Sequence, residues 1–170
     1  MRSNYSKTFL NSILKITTQI DHKKIDKLAL EILRIKKNYG RLFFLGVGGS
    51  AANCSHAVND FRKICNVEAY SPMDNVAELT ARINDEGWNS SLSEWLKVSK
   101  LKKKDAIFIF SVGGGNKSKN ISVNLVSAID YAKKVGSKVF GVIGKKTGYV
   151  NKLGNLTILI PEVDKKKVTP

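Results

Sequence analysis

The sequence predicts an α/β protein with a five-stranded parallel sheet sandwiched by helices in three layers. Short continuous apolar runs, which suit strands buried on both faces, alternate with longer segments of helical periodicity. Glycine clusters directly follow two of those runs, and each precedes a polar helix start. The 170 residues, 42% apolar, can bury a substantial core, so we expect residues 1–170 to form one domain.

Two amphipathic helices are predicted before the first strand, so residues 1–39 form a helical segment ahead of an α/β core at 40–170. Asp21 is the expected N-cap of the second helix and Gly40 its stop. Their apolar faces can pack on the sheet or on another subunit, which indicates a homo-oligomer. The predicted helices are 5–20, 21–39, 50–63, 76–83, 91–100 and 119–135. The predicted strands are 42–45, 67–70, 106–110, 138–143 and 156–160.

The first glycine cluster predicts an anion site. The apolar run 42–45 leads into Gly46, Gly48 and Gly49, and a helix is expected to start at Ser50. Such a turn leaves backbone N–H groups unshielded beside the positive end of the helix dipole, and phosphate is the ligand that uses this best.

A second cluster repeats this order of strand, glycines and hydroxyl-bearing helix start. In a parallel sheet both turns emerge at the carboxyl edge, where open α/β folds bind ligands. We therefore expect the two turns to grip one small molecule between them, although tight βα turns alone would also use glycine. The residues expected to contact the ligand in the second turn are Ser111, Gly113, Gly114, Asn116 and Ser118.

A nucleotide site is an alternative for the first turn. Gly46, Gly48 and Ala51 fit the G-x-G-x-x-A dinucleotide fingerprint, and Glu68 is about the right distance further on to hold a ribose hydroxyl. The second glycine turn has no role in that fingerprint. A P-loop is excluded, because neither cluster is followed by Gly-Lys-Ser/Thr.

Charge, cysteines and hydropathy indicate which partners and which cellular location to expect. The net charge of +15 comes from lysines spread along the chain without interleaved aromatic residues, which favours solvated faces and attraction of anionic substrates over a nucleic-acid surface. Cys54 and Cys65 lack disulfide or zinc spacing, so free thiols are expected. The chain shows neither a long apolar segment nor a signal-peptide pattern, so we expect a cytoplasmic protein with no membrane partner.

Three motifs are spread along the chain. They are Gly46-x-Gly-Gly-Ser50 with His56 on the following helix, Leu79-Thr-Ala-x-x-Asn84-Asp85-x-Gly87, and the serine-started Gly/Asn turn at Ser111. Together they resemble the sugar isomerase (SIS) domain family, in particular its phosphoheptose isomerase branch. The resemblance covers nearly the whole chain.

The resemblance implies ketose–aldose isomerisation of a phosphorylated seven-carbon sugar for lipopolysaccharide precursors, in a dimer or tetramer with sites at subunit interfaces. Asp60 stands where the family carries its catalytic glutamate, with His56 as acid or ligand. Some members place zinc at this pair. Asn84 and Asp85 match the substrate-side turn, and the 111–118 segment with Gly48, Gly49 and Ser50 matches the phosphate cradle.

Three departures leave a second hypothesis open. Asp60 is one methylene shorter than the family's glutamate, and Val112-Gly-Gly-Gly115 stands where the family has a Thr/Ser-rich cradle. The sequence also ends at Pro170, where the family continues into a C-terminal helix bearing a histidine. The alternative is a non-catalytic SIS module that senses a phosphosugar.

Overall fold

A parallel sheet of five strands forms the centre of the computed structural model, which describes residues 4–163. The strands lie in the order β2-β1-β3-β4-β5, and every neighbouring pair is parallel. The predicted sheet is confirmed. The strands are β1 (Leu42–Leu45), β2 (Ala69–Tyr70), β3 (Ala106–Ser111), β4 (Lys138–Ile143) and β5 (Leu156–Leu159).

Helices cover both faces of this sheet. Asp21 caps α2 as predicted, since its side chain accepts a hydrogen bond from the N–H of Lys24. None of the helices within residues 4–163 combines the length and apolar composition that a membrane span requires. The helices are α1 (Tyr5–Gln19), α2 (His22–Lys37), α3 (Gly49–Lys63), α4 (Val76–Glu86), α5 (Ser91–Val98), α6 (Val123–Val135) and α7 (Tyr149–Leu153), with a 3-10 turn at Pro72–Asp74.

Alternation along β1 shows why its apolar run is continuous. Phe43 and Leu45 join a buried cluster with residues of α5 and α6, whereas Leu42 and Phe44 join a second cluster with residues of α2 and α3. Successive strand side chains point to opposite faces, so a strand covered on both faces has no position for a polar residue.

A buried carboxylate anchors the amino edge of the sheet. Asp105 is fully buried and accepts hydrogen bonds from the Arg41 backbone N–H at 3.0 Å, from Arg41 Nη2 at 2.7 Å and from the Lys102 N–H at 2.9 Å. These bonds fasten the start of β1 to the start of β3.

Several predicted boundaries are wrong. The second glycine turn continues into a short hairpin in which Asn116 pairs with Ile121, so α6 begins at Val123 rather than 119. Ser122 stands at its N-cap. The predicted turn at Asn84 is instead the last part of α4. Helix α7 was not predicted, and β2 is shorter than expected.

The N-terminal helix leaves its apolar face exposed. Helix α1 buries none of its residues, and Leu10 and Leu14 remain 58% and 63% exposed. Helix α2 buries Leu28 and Ile35. Oligomerisation through these helices stays a prediction. Cys54 is buried and Cys65 exposed, and both are free, as predicted.

Candidate functional site

The two glycine turns lie side by side at the carboxyl edge of the sheet. β1 and β3 are adjacent, and Leu45 at the end of β1 stands opposite Ile109 of β3. In the strand order 2-1-3-4-5, the connections from these two strands diverge to opposite faces and leave a crevice between them. The predicted neighbourhood of the turns is therefore confirmed.

The first turn presents bare backbone. A Cβ on Gly46 would lie 2.5 Å from the carbonyl oxygen of Ser50, so the tight entry into α3 requires glycine there. Gly48 adopts φ 61° and ψ −127°, which side-chain-bearing residues avoid. A Cβ on Gly48 or Gly49 would meet no atom within 4 Å. The first turn of α3 can thus be approached closely by an anion.

Hydrogen bonds to Ser111 and to the start of α7 fix the second turn. Ser111 Oγ accepts a hydrogen bond from the Gly114 N–H at 3.0 Å. The carbonyl groups of Gly114 and Gly115 accept from the N–H groups of Val150 and Tyr149, at 3.0 and 2.9 Å. Both glycines have positive φ, 70° and 75°. The turn consequently occupies the N-terminus of α7 with its own carbonyl groups.

Asn116 and Ser118 belong to the hairpin that follows. Asn116 Oδ1 accepts hydrogen bonds from Ser118 Oγ and from the Lys119 N–H, both at 2.9 Å, so the two predicted ligand residues also hold the hairpin together. They line a cavity of about 200 Å³ on the β4 side of the turn. Its further lining residues are Gly115, Lys117, Thr147, Tyr149 and Lys152.

This cavity has basic and hydroxyl groups that the sequence did not single out. Tyr149 donates a hydrogen bond to Asp130 Oδ1 at 2.6 Å, which raises the pKa of Tyr149 to about 12. Lys117 Nζ lies 3.4 Å from the other oxygen of Asp130. Thr147 and Lys152 come from the β4–α7 connection and α7, where no motif marked them. Only the docking of the second turn on α7 brings them to Ser118.

His56 and Asp60 form a pair on α3, as their spacing predicts. His56 Nε2 lies 3.1 Å from Asp60 Oδ2, with the side chains 78% and 41% exposed. The Asn59 amide donates to the other oxygen, Oδ1, at 3.0 Å. At a helical rise of about 1.5 Å per residue, Asp60 stands about 15 Å along α3 from Ser50. The fold therefore does not bring this carboxylate to the first turn of its own chain.

Zinc does not fit the described residues alone. Within residues 4–163, no three His, Cys, Asp or Glu side chains are grouped so that they could hold a metal ion. His56 and Asp60 supply two donors, whereas protein zinc sites use three or four.

The structure places Asn84 and Asp85 in a helix rather than in a turn, so their contact with the substrate stays a prediction, and it places Glu68 away from the glycine turns. Asn84 and Asp85 are exposed in the last turn of α4, and the Asn84 amide donates to the Asp85 carboxylate at 2.8 Å. Glu68 precedes β2, and its carbonyl accepts from the N–H of Leu42 at the start of β1. Glu68 therefore lies at the amino edge, opposite the glycine turns, and the predicted ribose contact is wrong.

A buried amide marks the start of α6. Asn124 is fully buried, and its Nδ2 has no hydrogen-bond partner among the described residues, while its Oδ1 accepts from the Leu125 N–H. Buried polar atoms are nearly always paired, so this donor calls for a water molecule or a ligand atom. Sequence analysis missed Asn124 because an asparagine in the first turn of a helix has no unusual local signature.

Comparison with known proteins assigns the family. The model of the SIS domain matches residues 4–144. This chain belongs to the SIS domain family. The SIS chain is 28% identical to the phosphoheptose isomerase of Aliarcobacter butzleri, with 99% of this chain and 89% of that protein aligned.

Two further proteins are similar to this chain. A lincomycin biosynthesis protein of Streptomyces lincolnensis is 30% identical over 77% of this chain. The aligned part spans 50% of that protein's length. The structure of a phosphoheptose isomerase from Francisella tularensis superposes with a TM-score of 0.83 at 18% identity, covering 99% of this chain and 90% of that one. The second likeness establishes the shared fold.

Proposed function

We propose that this SIS protein is a phosphosugar isomerase that interconverts sedoheptulose 7-phosphate and the corresponding aldose heptose phosphate, a step toward lipopolysaccharide heptose precursors. The observation that carries the proposal is the pair of bare glycine turns side by side at the switch point of the sheet. Relatives named phosphoheptose isomerases support the choice of substrate.

The turns supply the anion-binding half of the site. Gly48, Gly49 and Ser50 offer backbone N–H groups at the N-terminus of α3, where the helix dipole favours negative charge. The second turn adds backbone and side-chain donors on the other side of the crevice. Its proposed contacts are Ser111, Gly113, Gly114, Asn116 and Ser118.

Proton transfer between C1 and C2 is assigned to the pair on α3. Asp60 acts as the base that takes the proton, and His56 serves the sugar oxygens as acid. Because Asp60 stands about 15 Å along α3 from Ser50, we propose that it serves the turns of a neighbouring subunit. Its exposure and the uncovered apolar face of α1 support a composite site in a homo-oligomer. Asn84 and Asp85 would contact the sugar there.

The first test is turnover of sedoheptulose 7-phosphate in a coupled assay. Asp60→Asn is expected to abolish turnover while keeping the thermal stabilisation that the sugar phosphate gives. Asp26→Asn, which removes an exposed carboxylate on α2, is the matched control and should retain full activity. A wild-type protein that binds the sugar phosphate tightly without turning it over would identify a sensing module instead.

The second test addresses the composite site. Asp60→Asn and Ser111→Ala are each expected to lower activity, and co-expression of the two variants should restore part of it. Mixed oligomers then contain sites in which an intact Asp60 faces an intact Ser111. If both residues served one site within a single chain, every site would keep one defect and no activity would return.

A further inference from the structure

Lysines that are distant in the sequence gather at the amino edge of the sheet, opposite the glycine turns. They come from the connection before β3, the end of α6 and the first residue of β4. All are exposed, and none forms an ion pair within residues 4–163. We call this surface the basic edge: Lys100, Lys102, Lys103, Lys104, Lys133, Lys134 and Lys138.

Contacts between the connections make the basic edge one surface. Arg41 Nη2 donates to the carbonyl of Lys100 at 2.8 Å, and the N–H of Lys138 donates to the carbonyl of Asp105 at 3.2 Å. A Cβ added to Gly136 would lie 3.7 Å from Cγ of Lys103. The Asp105 carboxylate is buried against Arg41 and leaves the lysine charges uncompensated.

Helix dipoles account for only some of these charges. Lys133 and Lys134 lie in the last turn of α6, where a cation stabilises the helix. Lys102, Lys103 and Lys104 lie in a connection and Lys138 in a strand, so neither position gives that benefit. Their concentration at one edge needs another explanation.

Apolar side chains are exposed at the same edge. Tyr39 follows α2, Ile64 follows α3 and Val98 ends α5, and they are 85%, 75% and 64% exposed. These are three of the four most exposed large apolar side chains among the described residues. Lys36 Nζ donates to the carbonyl of Cys65 at 2.7 Å and so joins the ends of α2 and α3.

We propose that the basic edge binds the surface of an anionic lipid bilayer. Lysines attract the anionic headgroups, and the apolar side chains among them can enter the boundary between headgroups and acyl chains. A second copy of the same edge would oppose lysine to lysine. A nucleic-acid backbone would use the charges but would leave Ile64 and Val98 exposed to water. This contact departs from the expectation of no membrane partner, which rested on the lack of a long apolar segment. The contact is peripheral and leaves the glycine turns facing away from the membrane.

Co-sedimentation with vesicles tests the proposal. The full chain should bind phosphatidylcholine vesicles that contain phosphatidylglycerol and should dissociate from them as the salt concentration is raised. It should not bind vesicles of pure phosphatidylcholine. Replacing Lys102, Lys103 and Lys104 together by alanine should weaken binding roughly a hundredfold. The matched control replaces Lys23, Lys24 and Lys27, at the opposite end of α2, and should weaken it far less because those lysines lie away from the edge.

A second variant separates lipid from other polyanions without changing the charge. Tyr39→Asn, Ile64→Gln and Val98→Gln together should weaken vesicle binding and leave the weak salt-sensitive attraction to duplex DNA unchanged. Equal losses in the two lysine variants, tighter binding to DNA than to the vesicles, or no effect of the apolar variant would each overturn the proposal. Circular dichroism and thermal unfolding check that each variant is folded.

Discussion

Adjacent glycines in the first turn provide a matched pair of substitutions. Gly48 and Gly49 both have open space where a Cβ would stand, so alanine clashes with nothing at either position. They differ in backbone conformation, since Gly48 has φ 61° and Gly49 is the first residue of α3. Any difference in stability between Gly48→Ala and Gly49→Ala therefore reports the difference in backbone conformation and not a steric clash.

The expected magnitudes have opposite signs. Holding alanine in the Gly48 conformation costs about 1–3 kcal/mol. For a chain of this size that lowers the thermal midpoint by about 2–12 °C. Gly49→Ala should stabilise by up to about 1 kcal/mol, because alanine loses less backbone entropy in a helix.

Thermal unfolding at equal protein concentration measures both values, since oligomerisation makes the midpoint concentration-dependent. Equal midpoints for the two variants would refute the conformational argument. Binding provides the second measurement. The methyl group of Gly49→Ala stands at the proposed anion site, so this stable variant should bind sedoheptulose 7-phosphate more weakly than wild type. Unchanged affinity would show that the ligand does not approach the first turn of α3.

Three further predictions follow from other parts of the molecule. Asp105→Ala breaks the buried ion pair with Arg41 and should lower the free energy of unfolding in urea by about 3–5 kcal/mol. Glu94→Ala breaks an exposed ion pair with Lys97 and should lower it by less than about 1 kcal/mol. Similar losses in the two variants would contradict the role of Asp105. Burial raises the pKa of the Cys54 thiol from 9.0 to about 12, so native protein should be alkylated at Cys65 only, and labelling of both thiols at one rate would contradict this. The stability that the neutral Cys54 thiol contributes is fully present below pH 9 and is lost as the pH rises toward 12. Asp60→Glu restores the longer carboxylate of the family. Because this moves the base by about 1 Å, turnover should rise by up to about a hundredfold. Unchanged or lower turnover would show that Asp60 is already well placed.

Much of the fold was predictable because the strands are buried on both faces. β1 and β4 were predicted with their observed bounds. Each is a short, mainly apolar run followed directly by a glycine, so the end of each strand is marked in the sequence. Helix α7 was missed because five residues are too few to show a helical period. The start of α6 was misplaced because the Asn116–Ile121 pairing delays the helix.

The sequence by itself determined the two glycine turns, their place at one edge of the sheet, the His56–Asp60 pair and the distance of Asp60 from the start of α3. Glycine is required locally in a tight turn, parallel strands bring their carboxyl ends to one edge, and residues four apart share a helix face. Only the tertiary structure decided that β1 and β3 are neighbours in the sheet and that lysines from the connection before β3, the end of α6 and the start of β4 form one basic edge. These neighbourhoods depend on the strand order and on how the helices pack around the sheet, and no local period in the sequence records them.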